Sequence, residues 1–372
     1  MDINIKRFVD IDIKYHVVSS AGSIRDTAVL LTSEGAVKDD KIFSSIEEIE
    51  SNSTYKQLTS VVTYAKVFFM NGGLKLHVYC GITDKDALVS KIKALPNDEI
   101  VVATNLEYSI MRSAASELTN DMGKSGDISK IYGINQKILL ARLPSASLSA
   151  FEDASLIENF AVKVSDISGA EMTIAAYLTK IQIYGTNTVL DYAFTAEKFS
   201  AEDEKSIKND DATLGTVLAN NLNVDMMLAG SYRNLGGNLT NGHDLTNHYA
   251  LIVLHQTVTD RLVSLLVQKL KGNVGVSAIY TTIAGELSKY VTNGYLTTDK
   301  TWTDEDKTVV YNNKNYTLIK KGTALILGYH IVVLPLNSLS EQDKANRKCP
   351  PIYIFLADSY GIRNITISGE VI

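Results

Sequence analysis

Six histidines are the first residues in this 372-residue chain that could hold a metal or move a proton. Only His243, His248 and His255 cluster, with Asp244 beside the first, so a divalent site is conceivable there. His248 and His255 are seven positions apart and can share a helical face, but no HxxxH or HExxH spacing joins them. Packing on a helix, or capping one, is the plainer role. His16, His77 and His330 stand alone. The glycines never fall into GxGxxG, and GxxxxGK[ST] does not occur, so no phosphate-cradling loop is spelled out. Acyl transfer would need a GxSxG elbow or another marked nucleophile with an acid and a histidine, and none is present. Carboxylates are plentiful but scattered, with nothing to mark a pair for acid and base work. Cys80 and Cys349 belong to no CxxC pair, which argues against zinc or a disulfide framework and fits two buried, reduced thiols. No catalytic, cofactor or metal residue is assigned, and no cofactor is expected.

The remaining charges point to contacts rather than to reactions. Lys344, Arg347, Lys348 and Arg363 form a modest basic patch, either a solvated loop or an electrostatic contact with an acidic protein partner. Aromatics are not interleaved there as single-stranded nucleic acid would require. The net charge of -6 gives no whole-chain attraction to nucleic acid. With 45% hydrophobic and 21% charged residues, the composition is that of an ordinary globular protein long enough for two domains. The N-terminus lacks the apolar core of a signal peptide, so export by a cleaved signal is not expected. The apolar stretch Tyr249 to Leu270 is interrupted by His255, Asp260, Arg261 and Lys269, and reads as a buried helix rather than a membrane span.

The elements that must position these residues change character midway. Thr27 to Leu31 reads as a strand. Tyr55 to Met70 is helical, with Leu58, Val61, Val62, Ala65, Phe68 and Phe69 on one face. Asn71-Gly72-Gly73 stops that helix and Leu74 to Cys80 follows as a strand. Asp84 to Leu95 (helix), Glu99 to Ala103 (strand) and Leu106 to Met122 (helix) repeat the unit, and strands at Lys137 to Leu143 and Phe160 to Val164 precede a helix at Ala170 to Tyr184. This is an α/β layer arrangement. The acid-rich stretch Ala196 to Asp211 reads as a solvated linker or surface helix, and Leu228 to Gly242 as loop. Two long helices follow, Asn247 to Lys271 and Ser277 to Val291, the second stopping at Asn293-Gly294. Strands at Thr308 to Tyr311, Tyr316 to Ile319, Ala324 to Leu334 and Ile352 to Leu356 complete an antiparallel α+β half.

Both chain ends are written as strands. Val9, Ile11, Ile13, Tyr15 and Val17 alternate with polar residues, and near the other end Ile365 and Ile367 alternate before the chain reaches Val371 and Ile372. Terminal strands need sheet edges to pair with, in the same molecule or in a neighbour. The second case describes an assembly protein.

Several segments together resemble a family. Tyr64-Ala65-Lys66-Val67-Phe68-Phe69-Met70-Asn71-Gly72-Gly73, the Gly230 to Gly242 stretch before a long helix, Asn293-Gly294-Tyr295, and the closing Asp343-Lys344-Ala345-Asn346-Arg347-Lys348-Cys349-Pro350-Pro351-Ile352 with Ile365-Thr366-Ile367 are similar to contractile tail sheath proteins of bacteriophages. The resemblance spans nearly the whole chain and implies a minimal form, as in phage-tail-like bacteriocins and injection particles. It implies an α+β fold: an N-terminal linker arm (1–20), an inserted peripheral α/β domain (21–212), an inner α+β assembly domain (213–360) and a C-terminal linker strand (361–372). It further implies a non-enzymatic subunit of hexameric rings stacked helically around a tail tube, contracting to drive the tube through a cell envelope. The partners implied are copies of itself, the tube protein, and baseplate and tail terminator proteins, with no nucleic acid and no membrane insertion, in a virion or particle tail assembled in the host cytoplasm. On this reading Val9, Ile11, Ile13, Tyr15, Val17, Ile365, Ile367 and Val371 belong to the inter-subunit arms, and Lys344, Arg347, Lys348 and Arg363 are candidates for tube or neighbour contact. The alternative is an α/β enzyme acting on a nucleotide or phosphorylated small molecule, with its site at the strand C-termini of the first half.

Overall fold

The segment Thr27–Leu31 (β1) is apolar at both parities, which suits a strand covered on both faces. The computed structural model describes residues 26–96, 98–124, 137–151, 153–181, 192–205, 207, 211–228, 230–267, 272–346 and 348–359. In it β1 lies inside an eight-stranded mixed sheet with β2 (Asp40–Phe43), β3 (Lys75–Tyr79), β4 (Val101–Thr104), β5 (Ile138–Leu143), β6 (Phe160–Val164), β7 (Asn223–Leu228) and β8 (Ser231–Leu235). The spatial order is β2-β3-β1-β4-β5-β6-β7-β8. The six inner strands run parallel, and β2 and β8 close the two edges antiparallel.

Helices cover both faces because successive strand side chains point opposite ways. Ala28 and Leu30 share one core with α2 (Thr59–Met70) and α5 (Met172–Lys180). Val29 and Leu31 share the other with α3 (Lys85–Ala94) and α4 (Tyr108–Lys124). Short α1 (Ile46–Ser51) starts at Ser45, whose hydroxyl accepts from the Glu48 amide, and Asp84 caps α3 by accepting from Ala87. Burial contributes roughly 1.5–3 kcal/mol for each fully covered Leu, Ile or Phe, so these cores outweigh any single cap of about 1 kcal/mol.

Beyond the short, exposed α6 (Ala201–Glu204) and α7 (Asp211–Ala219), the chain returns to the sheet as β7 and β8. Residues past 212, where the sequence suggested a domain division, therefore complete the same sheet as β1 to β6. Asp244 then caps α8 (Leu245–Val267), and α9 (Gly272–Thr292) packs on it. Tyr249, Ile252, Leu287 and Tyr290 of these helices join the core that holds Ala28 and Leu30, so one apolar interior runs through both halves. Two two-stranded sheets follow. The hairpin β9 (Lys307–Tyr311) and β10 (Lys314–Ile319) turns on Asn312 and Asn313, both with positive φ (47° and 60°), as a type I′ turn demands. A ribbon pairs β11 (Tyr329–Val333) with β12 (Ile352–Leu356), and α10 (Glu341–Ala345) lies between them in sequence.

Four expectations are corrected. Leu228 to Gly242 is not all loop, because Leu228 ends β7 and Ser231–Leu235 pairs with it. The strand expected from Ala324 starts only at Tyr329, since Leu325 to Gly328 forms a turn with Gly328 at φ 75°. The second long helix starts at Gly272, ahead of the expected Ser277. Cys80 is buried but Cys349, in the loop before β12, is exposed; both thiols are free.

Candidate assembly surface

The carboxyl ends of parallel strands, at the point where neighbouring crossovers diverge, are where an α/β fold of this kind would hold a nucleotide. That point falls between β1 and β4, whose crossovers lead to β3 on one side and β5 on the other. Here the crevice is stitched by the protein itself: Thr104 Oγ1 donates to Leu31 O at 2.7 Å, and Asn105 Oδ1 accepts from the Ser33 amide at 3.0 Å. The first turn of α2 is likewise taken by a carboxylate, since Glu34 accepts from the Ser60 amide at 3.0 Å and from its hydroxyl at 3.1 Å. A phosphate would have to displace an anion already in place.

The histidines do not converge. His248 is buried, its Nε2 lies 2.5 Å from Asn159 Oδ1, and burial, then the neighbouring His243, pushes its pKa down to about 4. His243 and His248 ring centroids are 6.2 Å apart, and the side chain of His255 lies outside the described residues. His77 Nδ1 meets the Glu99 carboxylate, and His330 Nε2 is 3.2 Å from Leu318 O. Among the described residues no three His, Cys, Asp or Glu side chains gather as a metal site requires.

The stretch expected to be a solvated linker contains a buried carboxylate, which composition alone could not reveal. Lys163 Nζ on β6 is fully buried, 2.8 Å from Glu197 Oε2, 2.7 Å from Asp225 Oδ1 on β7 and 3.0 Å from Asn234 Oδ1 on β8. Tyr192 donates its hydroxyl to Glu197. Burial works against the Lys163 charge, but the Asp225 and Glu197 carboxylates hold its pKa up. Burial also raises Glu197, and Lys163 overcomes it, leaving that pKa lowered. Asp225 goes the other way, pushed well up by burial and by the Glu197 charge. The Asn71-Gly72-Gly73 motif holds this segment from outside. Asn71 Nδ2 donates to Lys198 O and Asn71 Oδ1 accepts from the Lys198 amide, both at 2.9 Å. Gly73 is required because a Cβ there would run into the Phe68 ring.

Strand edges are the remaining surfaces able to join another chain. At the β8 edge, residues 194–197 lie alongside: the Phe194 amide donates to Asn234 O at 2.7 Å, and that of Glu197 to Tyr232 O at 2.9 Å. At the other edge β2 is short and opens with exposed Asp40 and Lys41. The β11–β12 ribbon differs. Tyr329, Ile331, Ile352, Ile354 and Leu356 pack on the main core, and on the opposite face Phe355 meets Trp302 edge-on with centroids 5.3 Å apart. Apart from buried Tyr329 the ribbon's side chains are half-buried, both strands read as central strands, and among the described residues no third strand pairs with either of them.

The basic candidates are neutralised where they can be seen. Lys344 pairs with Glu341 at 2.7 Å and Lys348 with Asp343 at 2.9 Å, while Ser340 and Asp343 form a capping box on α10. Arg347 and Arg363 lie outside the described residues, as do the arm residues Val9, Ile11, Ile13, Tyr15, Val17, Ile365, Ile367 and Val371. No described helix is long and apolar enough to cross a membrane.

Residues 245–371 match the family described as E217 tail sheath protein gp31-like, C-terminal domain. No curated protein sequence matches the chain. In fold it is similar to the helical sheath of the anti-feeding prophage in its contracted state, with TM-score 0.59, 12% identity, and 98% of each chain covered. It is also similar to a chain of the contracted anti-feeding prophage baseplate, with TM-score 0.55, 14% identity, and coverage of 95% of this chain and 96% of that one. The sheath tail protein of Listeria innocua aligns with TM-score 0.51 and 10% identity over 91% of this chain and 96% of that one.

Proposed function

We propose that the chain is a contractile tail sheath structural protein that polymerises by exchanging terminal strands, a reading supported by its sheath-like fold and by the tail-sheath domain matched in residues 245–371. The copies stack as hexameric rings around a tail tube and contract to drive that tube through a target envelope. Residues 9–17 and 365–371 are the exchanged arms, and the β11–β12 ribbon is their acceptor. One observation carries this reading: a two-stranded ribbon with central-strand composition, half-buried against the core and without a third strand among the described residues, is half of a sheet, and a neighbour's strands complete it. Pairing through backbone bonds tolerates a changed angle between bodies, and contacts that do not close by rotation build tubes.

The described part of the peripheral body runs from β1 through β8, and on this reading the inner assembly domain begins near α8. Tube, baseplate and terminator proteins are the partners beyond the chain itself, in a virion or particle tail put together in the host cytoplasm. No catalytic residue takes part.

Negative-stain electron microscopy of the full chain, of a variant lacking residues 1–18 and of one lacking residues 361–372 tests the reading. Long uniform hollow tubes from the full chain only, with both truncations folded and dispersed, are expected. Discrete small particles from all three would overturn it. A nucleotide-dependent rise in melting temperature would favour the enzyme alternative.

A further inference from the structure

Immediately after β12 the chain is fastened to three separate elements within three residues. The Ala357 amide donates to Gly328 O at 2.9 Å, and Ala357 O accepts from the Thr297 amide at 2.8 Å. Asp358 bridges to Leu296 and its carboxylate meets Lys300 Nζ at 2.8 Å. The Ser359 amide donates to Tyr295 O at 3.1 Å, its hydroxyl donates to Gly294 O, and its carbonyl accepts from Asn247 Nδ2 in the first turn of α8. The acceptors are rigid. Gly294, at φ 76°, ends α9 with the Tyr295 amide returning to Tyr290 O at 2.9 Å, and Tyr295 is buried. Asn247 is fixed in turn by its amide bond to Asp244.

We infer that residues 357–359, gripped by Asn247 and by Gly294 to Thr297, are a clamp that fixes where the C-terminal strand leaves the body and so sets the length of the link to the next copy. This rests on the strand-exchange reading. From Ser359 to Ile365 the chain spans at most about 20 Å, at ~3.3 Å per residue. Opening the clamp would free three further residues and add about 10 Å. The clamp holds neighbouring bodies at one spacing while the link itself turns.

Two measurements on the full-length chain, comparing wild type with Asn247→Ala and with Asn247→Ala/Ser359→Ala, test this. In dispersed protein, hydrogen exchange at the Ser359 amide is expected to be protected in the wild type. It should run roughly fivefold faster in the single variant and roughly thirtyfold faster in the double, the effect of losing one and two bonds of about 1 kcal/mol each. Wild-type exchange at the unprotected rate overturns the clamp whatever the protein assembles into. In tubes imaged by electron microscopy, the variants are expected to broaden the distribution of axial repeat; tubes with the wild-type repeat and spread would overturn the clamp's control of spacing. Absence of tubes from the wild type would instead count against strand exchange, leaving the exchange result to judge the clamp.

Discussion

The eight-stranded sheet ends at β2 in Asp40 and Lys41 and at β8 beneath residues 194–197, whereas the β11–β12 ribbon ends in Tyr, Ile and Val residues with no strand beside them among the described residues. The large sheet covers its β8 edge with its own chain and blunts its β2 edge with charge. The ribbon packs on the core with half-buried side chains and gains no third strand among the described residues. Changes in the first region should decide whether one copy folds, and changes in the second whether copies join.

Ranked by their effect on unfolding of a single copy, four substitutions probe that division. Lys163→Met strands Glu197 and Asp225 without their cation and is expected to cost about 3–5 kcal/mol, read as a drop in urea midpoint. A shift no larger than that of a surface control would mean the sheet does not depend on this network.

Glu171 sits fully buried before α5, and burial pushes its carboxyl to about 7 from 4.5, with its own backbone contacts, Arg142 and Tyr64 opposing. The folded state therefore keeps the proton that the unfolded chain loses first. Stability should fall by about 3 kcal/mol as pH rises from 4.5 to 7. Glu171→Gln should flatten that slope; equal slopes in urea titrations at pH 5 and 7.5 would refute it.

Gly73→Ala drives a methyl into the Phe68 ring and should cost about 1–3 kcal/mol, visible as a lower melting temperature. Smallest in the single copy is Val332→Lys on β11, expected at about 1 kcal/mol or less. It should nevertheless abolish pelletable tubes, because a lysine on the ribbon discourages an added strand. Normal tubes from this variant would erase the distinction between the two regions.

The sequence made the inner strands legible where apolar runs were uninterrupted. β1 and β12 match their expected bounds, and β3 and β6 lie within or at theirs. β7 and β8 were hidden because Asp225 and Asn234 turn inward toward Lys163, which breaks the pattern a buried strand should show, and because Gly230 and Gly236 imitate a loop. Glu197 was hidden among the acids around it. Nothing local distinguishes the carboxylate that faces a distant lysine from those that face water. The NGG motif was readable as a helix stop, but the bond of Asn71 to Lys198, 127 residues away, depends on the tertiary fold. For the candidate surface, continuous apolarity marked β12 as a central strand, while the alternating chain ends lie outside the described residues. That β11 and β12 pair only with each other among the described residues is a fact of topology.

The apolar interior shared by β1, Tyr192, Tyr249 and Tyr290 also bears on how such a gene can be recombined. Tyr192, buried beside Tyr177, accepts at its carbonyl from the Thr195 amide at 3.1 Å and gives its own amide to Thr246 Oγ1 at 3.2 Å, tying residues before β7 to the first turn of α8. A fragment beginning at α8 would be expressed with its inner face stripped of cover, and a graft of another α/β body onto it would meet a foreign set of tyrosines. Chimeras that exchange the chain whole, or that cut within exposed β9–β10, should be the ones that remain soluble.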